Sequence, residues 1–133
     1  MEERRKRLVF DIIFTDRFKK DIEYYIKKKK FHHIDNDIEN IIDNLQKGIL
    51  LGDVIKGVKS NINAFAYKVR ANNSDTKSGK SNGYRLIYYA ISKDYKIYLL
   101  TIYYKKDEKN IPTNKEIADL INKFCLLYLS TQF

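Results

Sequence analysis

Apolar and polar positions follow one another along this chain in a pattern that predicts a first strand and then two helices. The strand is predicted over Leu8–Phe14, where the side chains are mostly apolar or β-branched. Thr15 is the expected cap of the first helix, and Asp35 or Asn36 of the second. Both helices have apolar side chains at helical spacing, at Phe18, Ile22, Tyr25 and Ile26 and then at Ile38, Ile41, Ile42 and Leu45. We expect them to form a hairpin across a sheet.

Three more strands are predicted over Ala64–Ala71, Tyr84–Ser92 and Lys96–Tyr104, after an irregular connection over Gly52–Asn63. The run Leu99–Ile102 is almost continuously apolar or β-branched, which indicates a strand buried on both faces near the centre of the sheet. Residues 92–95, between the last two strands, are few enough to form a hairpin turn.

The last helix has a clear start signal, because Thr113 is followed three residues later by Glu116, as in a capping box. Its expected core face consists of Ile117, Leu120, Ile121 and Phe124. The element order is therefore β-α-α-β-β-β-α. This order predicts an α+β fold in which two N-terminal helices and a C-terminal helix pack on a small, mainly antiparallel sheet. Since no linker or repeat interrupts the pattern, we predict one domain over residues 1–133.

The charge balance favours a polyanion or an acidic protein as partner, since the formal net charge is +9 and the pI is about 9.5. Lysine-rich chains also occur in AT-rich genomes, so the placement of the cations is more informative than their total. The densest group lies in or beside residues 72–83, which read NNSDTKSGKSNG, and continues after the last strand: Lys68, Arg70, Lys77, Lys80, Arg85, Lys105 and Lys106. Cations on a loop that a sheet positions suit a phosphate-rich ligand, above all RNA.

Three features favour the cytoplasm over export or a membrane. The only cysteine, Cys125, has no internal disulfide partner, which is typical of a reducing compartment. The basic start and short apolar run resemble a signal peptide only superficially, because Asp11 interrupts the run and no small-residue cleavage site follows. No run is long and apolar enough to span a bilayer.

Other common chemistries are not supported by the spacing of the residues that they need. Gly79-Lys80-Ser81 resembles the end of a phosphate-binding P-loop, but position 74 is serine where that motif has a glycine. The two histidines, His32 and His33, are far in sequence from the cationic loop, so we expect them to be structural. We expect Cys125 to be a core residue. No cluster has metal-ligand spacing, and we predict no metal and no cofactor.

The sequence resembles the RelE/HigB-type toxins of bacterial type II toxin–antitoxin systems, in the RelE/ParE superfamily. The matching pieces are the strand ending KVR, the loop KSGKSNGYR that leads into an apolar strand, and YLLTIYYKKDEKNIP before the last helix. The resemblance covers roughly Val9 to Phe124. The family often has Tyr-x-Lys-x-Glu, two variable positions, an acidic residue and an aliphatic one; Asp107 and Asn110 depart from this pattern.

The resemblance implies a metal-independent endoribonuclease that cleaves mRNA, often in the ribosomal A site, and that an antitoxin holds inactive. The charge of the chain predicts that this antitoxin has an acidic segment. Two other functions stay open at this point. One is a ParE-like inhibitor of DNA gyrase with the same fold and no enzymatic activity, and the other is an RNA-binding module without cleavage.

Arg85 is the first candidate for catalysis, because a strand can fix its position and its planar fork suits two phosphate oxygens. A surface arginine paired with an acid is the alternative. Lys80 is expected to stabilise the transition state together with Arg85, and Lys77 to assist. One of the two lysines could exchange protons if mutual repulsion lowers its pKa, with general attraction of phosphate as the alternative. Tyr103 and Lys105 fit the family pattern and are expected to orient RNA or move protons, although Tyr103 could also be a core tyrosine.

The strand before the loop supplies two further candidates, because alternation puts Lys68 and Arg70 on one face. We expect them and Lys106 to contact RNA, with a solvated strand edge as the alternative. Tyr104 and Lys106, which alternation places on the opposite face of the strand, are the alternative to Tyr103 and Lys105 as site residues.

Overall fold

The structure is a computed structural model and describes residues 9–59 and 63–125. Leu8 of the predicted first strand and both termini, 1–8 and 126–133, lie outside the described residues. The strands and α-helices in chain order are β1 Asp11–Phe14, α1 Asp16–Lys27, α2 Ile34–Gln46, β2 Asp53–Val54, β3 Ala64–Ala71, β4 Tyr84–Ile91, β5 Lys96–Tyr104 and α3 Asn114–Phe124. The predicted α+β order is confirmed, with one additional short strand.

The five strands form a single mixed sheet in the order β1-β5-β4-β3-β2. β1 is parallel to β5, and every other neighbouring pair is antiparallel. All residues of β4, the middle strand, are buried. The prediction of a strand buried on both faces is also confirmed, since Leu99 and Leu100 of β5 are fully covered on opposite sides of the sheet.

Helices cover both faces of the sheet, and each face has its own apolar core. We call the side under α1 and α2 the hairpin face; from the helices it buries Phe18, Tyr25, Ile34, Ile38, Ile41 and Leu45. We call the other side the α3 face; it buries Ile117, Leu120, Ile121 and Cys125 against the sheet. Burying a side chain of this size contributes about 1.5–3 kcal/mol, so the two cores hold the sheet rigidly from both sides.

Two predicted caps are present. The Thr15 hydroxyl accepts a hydrogen bond from the Phe18 N–H at 3.2 Å and donates one to the Leu99 carbonyl at 2.7 Å, which fixes the start of α1 on β5. Thr113 and Glu116 form the complete capping box of α3. The predicted hairpin turn is a short 3-10 segment, Ser92–Asp94.

The start of α2 was predicted wrongly. The helix begins at Ile34 and its cap is His33, which makes no side-chain capping bond, so neither Asp35 nor Asn36 is the cap. Ile34 is fully buried, and its place in the hairpin core brings the helix start forward. Asp35 instead lies in the first turn, where a negative charge suits the helix dipole.

Three strand boundaries also differ from the predictions. β1 begins only at Asp11, because the Phe10 N–H bonds to the Gln46 carbonyl at 2.7 Å and not to the sheet. β4 ends at Ile91, one residue early. The connection that was predicted to be irregular contains β2, in which Asp53 and Val54 pair with β3. Two residues are too few for an alternating pattern, so the sequence gives no signal for this strand.

Candidate functional site

Three candidate side chains form one row across the middle of the sheet. Arg70 of β3 is the cross-strand partner of Arg85 on β4, and Arg85 is the partner of Tyr103 on β5. Arg85 and Tyr103 lie on the α3 face with Ile87 and Leu100, and alternation from Ala66 puts Arg70 there as well. We call Arg70, Arg85 and Tyr103 the cross-strand row.

Arg85 is a buried cation, and its guanidinium binds three backbone carbonyls. Nη1 donates to the carbonyls of Lys80 and Tyr84 at 3.0 and 3.2 Å, and Nη2 donates to that of Ser81 at 3.0 Å. Within residues 9–59 and 63–125 no carboxylate forms an ion pair with Arg85, although the side chain is only 6% exposed. A guanidinium offers five N–H donors, so two are left for another acceptor.

Positive charge is concentrated in the cross-strand row, because Arg70 and Arg85 are neighbours. Burial, together with the neighbouring charge of Arg70, lowers the pKa of Arg85 from its ordinary value, but a guanidinium remains protonated at physiological pH. Burial raises the pKa of Tyr103, although Arg85 opposes the shift. Tyr103 therefore keeps its proton at neutral pH, so its hydroxyl can donate a hydrogen bond but cannot serve as a base.

Lys105 joins the row through a shared acceptor. Its Nζ donates to the Ser81 carbonyl at 3.0 Å, the same oxygen that accepts from Arg85 Nη2. Lys105 and Tyr103 therefore share the α3 face, as the sequence predicts. Lys105 is exposed, so its ammonium is accessible to a ligand that approaches Arg85.

Lys68, Arg70 and Lys80 line one cleft at the β3 side of the sheet. The cleft has a volume of about 590 Å³ and lies between α2 and β3. Asp37 and Asp53 also line the cleft, so its lining contains both basic and acidic residues, and the basic residues are more numerous. The site thus has two parts, the cross-strand row with Lys105 on the α3 face and this cleft on the α2 side of β3, and Arg70 belongs to both.

The basic loop, residues 72–83, has a defined conformation. The N–H and carbonyl groups of Asn73 and Ser78 exchange hydrogen bonds of 2.9 Å in both directions. Inside that closed turn the buried Asn73 side chain accepts from the Thr76 N–H at 3.2 Å, and Lys77 adopts a left-handed φ of 57°. Lys77 therefore lies at the tip of a closed turn, and within residues 9–59 and 63–125 no hydrogen bond or ion pair brings it to the cross-strand row.

Tyr104 and Lys106 lie on the other side of the sheet from the row. The Tyr104 ring packs edge-on against Phe31 of the hairpin face, and its hydroxyl reaches Thr76 and Ser78 at 3.4 and 3.5 Å. Burial raises the pKa of Tyr104, but these hydrogen bonds and the charge of Lys106 lower it by a larger amount, so that the pKa lies below its ordinary value. Of the predicted RNA contacts, Lys106 is thus separate from Lys68 and Arg70.

The two positions that depart from the family pattern interact with each other. Asn110 Nδ2 donates to Asp107 Oδ2 at 2.6 Å, and the Tyr25 hydroxyl donates to the same oxygen at 3.3 Å. The Tyr104 N–H in turn donates to that Tyr25 hydroxyl at 2.8 Å. Asp107 therefore fixes the end of β5, which positions Lys105.

Several residues of the site have no signal in the sequence. Contacts of Asp37, Asp75 and His33 hold the basic loop on α2. Each contact joins residues that are more than thirty positions apart in the sequence. Periodic patterns act over a few residues and therefore cannot indicate such contacts. The histidines were expected to be structural and are far from the loop in sequence. His33 is remote only in sequence, because its Nδ1 lies 2.8 Å from Asp75 Oδ1.

We expect the interaction between His33 and Asp75 to weaken as pH rises. The hydrogen bond with Asp75 and its negative charge raise the pKa of His33, and Asp37 adds to the effect. A raised pKa in the folded state gives stability that is present below the unfolded pKa and lost as pH rises through the folded one. The loss should therefore begin above about pH 6.5, the ordinary histidine value.

An NMR titration checks this expectation, with the His33 ring and the Thr76 amide as probes. In the wild type both should titrate together, with a His33 midpoint above the ordinary value. In Asp75→Asn the midpoint should fall and the Thr76 response should disappear. An unchanged His33 midpoint in that variant would show that the pair does not form.

Cys125, the remaining candidate, has the surroundings of a core residue. Cys125 is fully buried on the α3 face, as predicted, and burial raises the pKa of its thiol to about 12. In the part of the chain that the structure describes, no group of three or more metal-ligating side chains is close enough to hold an ion. Within the same ranges, no helix has the length and apolar character needed to cross a membrane.

Comparison with known proteins gives a match in structure and none in sequence. The chain matches no protein-family model and no curated protein. Among solved structures, the fold is similar to that of the E. coli toxin RelE, in a double arginine-to-alanine mutant in the free state. The TM-score is 0.51 at 11% sequence identity, and the match covers 87% of this chain and 98% of that one. The chain therefore has a RelE-like fold.

Proposed function

We propose that this protein is the toxin of a type II toxin–antitoxin system and a metal-independent endoribonuclease that cleaves mRNA on the ribosome. The observation that carries the proposal is the buried Arg85 guanidinium, which has no carboxylate partner within residues 9–59 and 63–125 and has Arg70 beside it. Burying a charge without a counter-ion is costly, and adjacent like charges add to the cost. An RNA phosphate supplies the missing negative charge.

The cations of the site match what RNA cleavage needs. RNA supplies the nucleophile, its 2′-hydroxyl, so the protein has to align it and neutralise the charge that develops on the phosphate. In this proposal Arg70 and Arg85 bind phosphate oxygens, and Lys105 and Lys80 add positive charge beside them. Tyr103, whose pKa is raised, stays protonated and donates a hydrogen bond or a proton to the leaving 5′-oxygen.

The same charges suit an acidic inhibitor. A chain with a net charge of +9 is expected to attract an antitoxin whose acidic segment covers the basic residues and neutralises them. Association should then be fast at low salt and slower as ionic strength rises. The proposal places both proteins in the cytoplasm, where mRNA and ribosomes are present.

Arg70→Ala is the variant that tests the proposed site with the smallest structural change. Arg70 is exposed, and within residues 9–59 and 63–125 its side chain forms no ion pair, so its loss should leave folding intact. We expect the cleavage rate on translating ribosomes to fall about tenfold to a hundredfold, since a charge-assisted phosphate contact contributes about 1.5–3 kcal/mol. Toeprinting of a defined mRNA measures the rate.

Lys93→Ala is the matched control. It removes the same charge from the exposed turn at the opposite end of β4, far along the strand from Arg85. Its cleavage rate should equal that of the wild type. Equal losses in both variants would show that only total charge matters, and no loss in either would remove Arg70 from the site. A wild type that arrests growth without cleaving RNA would direct attention to gyrase supercoiling.

A further inference from the structure

The basic loop is attached to helix α2 by acidic and histidine side chains that no part of the proposed chemistry uses. We propose that Asp37 and the His33–Asp75 pair are positioning residues, which fix the first half of the loop on α2 so that its second half holds Arg85 and presents Lys80. The inference rests on the proposed function, because it assigns a role to the scaffold of that site.

Asp37 makes the most extensive of these attachments. Its Oδ2 accepts from the Ser74 N–H at 3.0 Å and from the Ser74 hydroxyl at 3.1 Å, and its Oδ1 accepts from Asn72 Nδ2 at 3.4 Å. One carboxylate in the first turn of α2 thus holds the two ends of the short segment that leaves β3. Bonds to an ionised acceptor are stronger than those between neutral groups.

The His33–Asp75 pair is a second attachment one turn away. Asp75 Oδ2 accepts from the His33 N–H at 3.0 Å, while Oδ1 lies 2.8 Å from the imidazole Nδ1. His33 is the cap of α2, so its free N–H is satisfied by the loop and not by a local side chain. The Ser74–Thr76 turn is therefore fixed to the start of α2 at two places.

The second half of the loop depends on where the first half lies. After the closed turn Asn73–Ser78, residues 79–83 return to β4 and place the carbonyls of Lys80 and Ser81 on the Arg85 guanidinium. Lys80 then lines the same cleft as Arg70. If the first half moves, the two carbonyls move as well, and Arg85 loses the groups that orient it.

These residues are suited to positioning and not to phosphate contact. Asp37 and Asp75 carry negative charge, which would repel an RNA phosphate. Their oxygens are already engaged, those of Asp37 by Asn72 and Ser74 and those of Asp75 by His33. Their contribution to cleavage has to pass through Lys80 and Arg85. A positioning role predicts that their loss lowers kcat more than it raises KM, because the ground-state attraction of the cations remains.

The test compares Asp37→Ala and Asp75→Asn with Glu39→Ala, which removes an exposed carboxylate from the same helix without touching the loop. Amide hydrogen exchange at Asn73 and Ser78, followed by NMR, reports on the closed turn. We expect exchange there to rise about tenfold in the first two variants and to stay at the wild-type rate in Glu39→Ala. Leu86 in β4 should be unaffected in all three.

Kinetics of mRNA cleavage form the second arm, with kcat falling about tenfold and KM changing less than twofold in the first two variants. Unchanged exchange at Asn73 and Ser78 would overturn the inference whether or not the protein cleaves RNA. Raised exchange with unchanged kcat would overturn the positioning role. If the wild type cleaves no RNA the proposed function fails, and the exchange arm still decides whether α2 fixes the loop.

Discussion

Arg85→Ala should lower the rate of RNA cleavage by about a hundredfold to a thousandfold, the largest loss that we expect from any single change in the site. The size follows from removing a preorganised donor at developing negative charge, about 2.7–4 kcal/mol. Arg85→Lys should recover only part of the rate, because an ammonium lacks the planar fork that holds two oxygens. Single-turnover cleavage on translating ribosomes measures both variants.

The fold has to survive for this result to be informative, since Arg85 also binds two loop carbonyls and that of Tyr84 in β4. Circular dichroism and the thermal midpoint check it, and Arg17→Ala on α1 serves as a control that removes an arginine outside the row. A folded Arg85→Ala protein that cleaves at the wild-type rate would contradict the assignment. A loss of equal size in Arg17→Ala would do so as well.

Gly83→Ala should destabilise the fold by about 2–3 kcal/mol, the strongest effect that we expect from a small change in the loop. A Cβ at Gly83 would press into the Ala71 carbonyl oxygen and lie 2.9 Å from Asn72 Cα and from the Gly79 carbonyl oxygen. All three are backbone atoms, so relief requires the loop to move away from β3. The free energy of unfolding in urea measures the effect.

Gly79→Ala is the matched control in the same loop. A Cβ at Gly79 meets nothing within 4 Å, and its φ is not in the left-handed region. Its unfolding free energy should stay within about 0.5 kcal/mol of the wild type or rise slightly, because alanine restricts the unfolded chain. If both variants were equally unstable, the close approach of Gly83 to β3 would not be the cause.

The fold was largely predictable because its signals are local. Helical spacing at Phe18 and Tyr25, strand-like runs over Ala64–Ala71 and Lys96–Tyr104, and the Thr113 capping box each act within a few residues. The start of α2 was missed because the burial of Ile34, a tertiary requirement, outweighs the capping preference of its neighbours.

The faces of β5 were not predictable from strict alternation. The register of β4 and β5 shifts between Ile87 and Tyr88, so Leu100 has no cross-strand partner. Because of this bulge Leu99 and Ile102 both belong to the hairpin core, and Tyr103 falls on the α3 face opposite Arg85. Alternation counted from Leu99 without the bulge would place Tyr103 on the wrong face.

The candidate site was predictable as a set of cations but not as an arrangement. The sequence places Lys77 and Lys80 in one loop, whereas the closed turn Asn73–Ser78 separates them and only Lys80 reaches the cleft. The burial of Arg85 and its carbonyl partners also depends on tertiary contacts. No local pattern could indicate that Asp37 holds the loop, since Ser74 lies 37 residues further along the chain.

The most direct test of the central claim is mRNA cleavage by the purified wild-type protein on translating ribosomes, with and without added chelator and beside Arg70→Ala. The account predicts cleavage that persists at chelator concentrations which the ribosomes tolerate, and that falls at least tenfold in Arg70→Ala. Absence of cleavage by the folded wild-type protein, or cleavage that Arg70→Ala leaves unchanged, would contradict it.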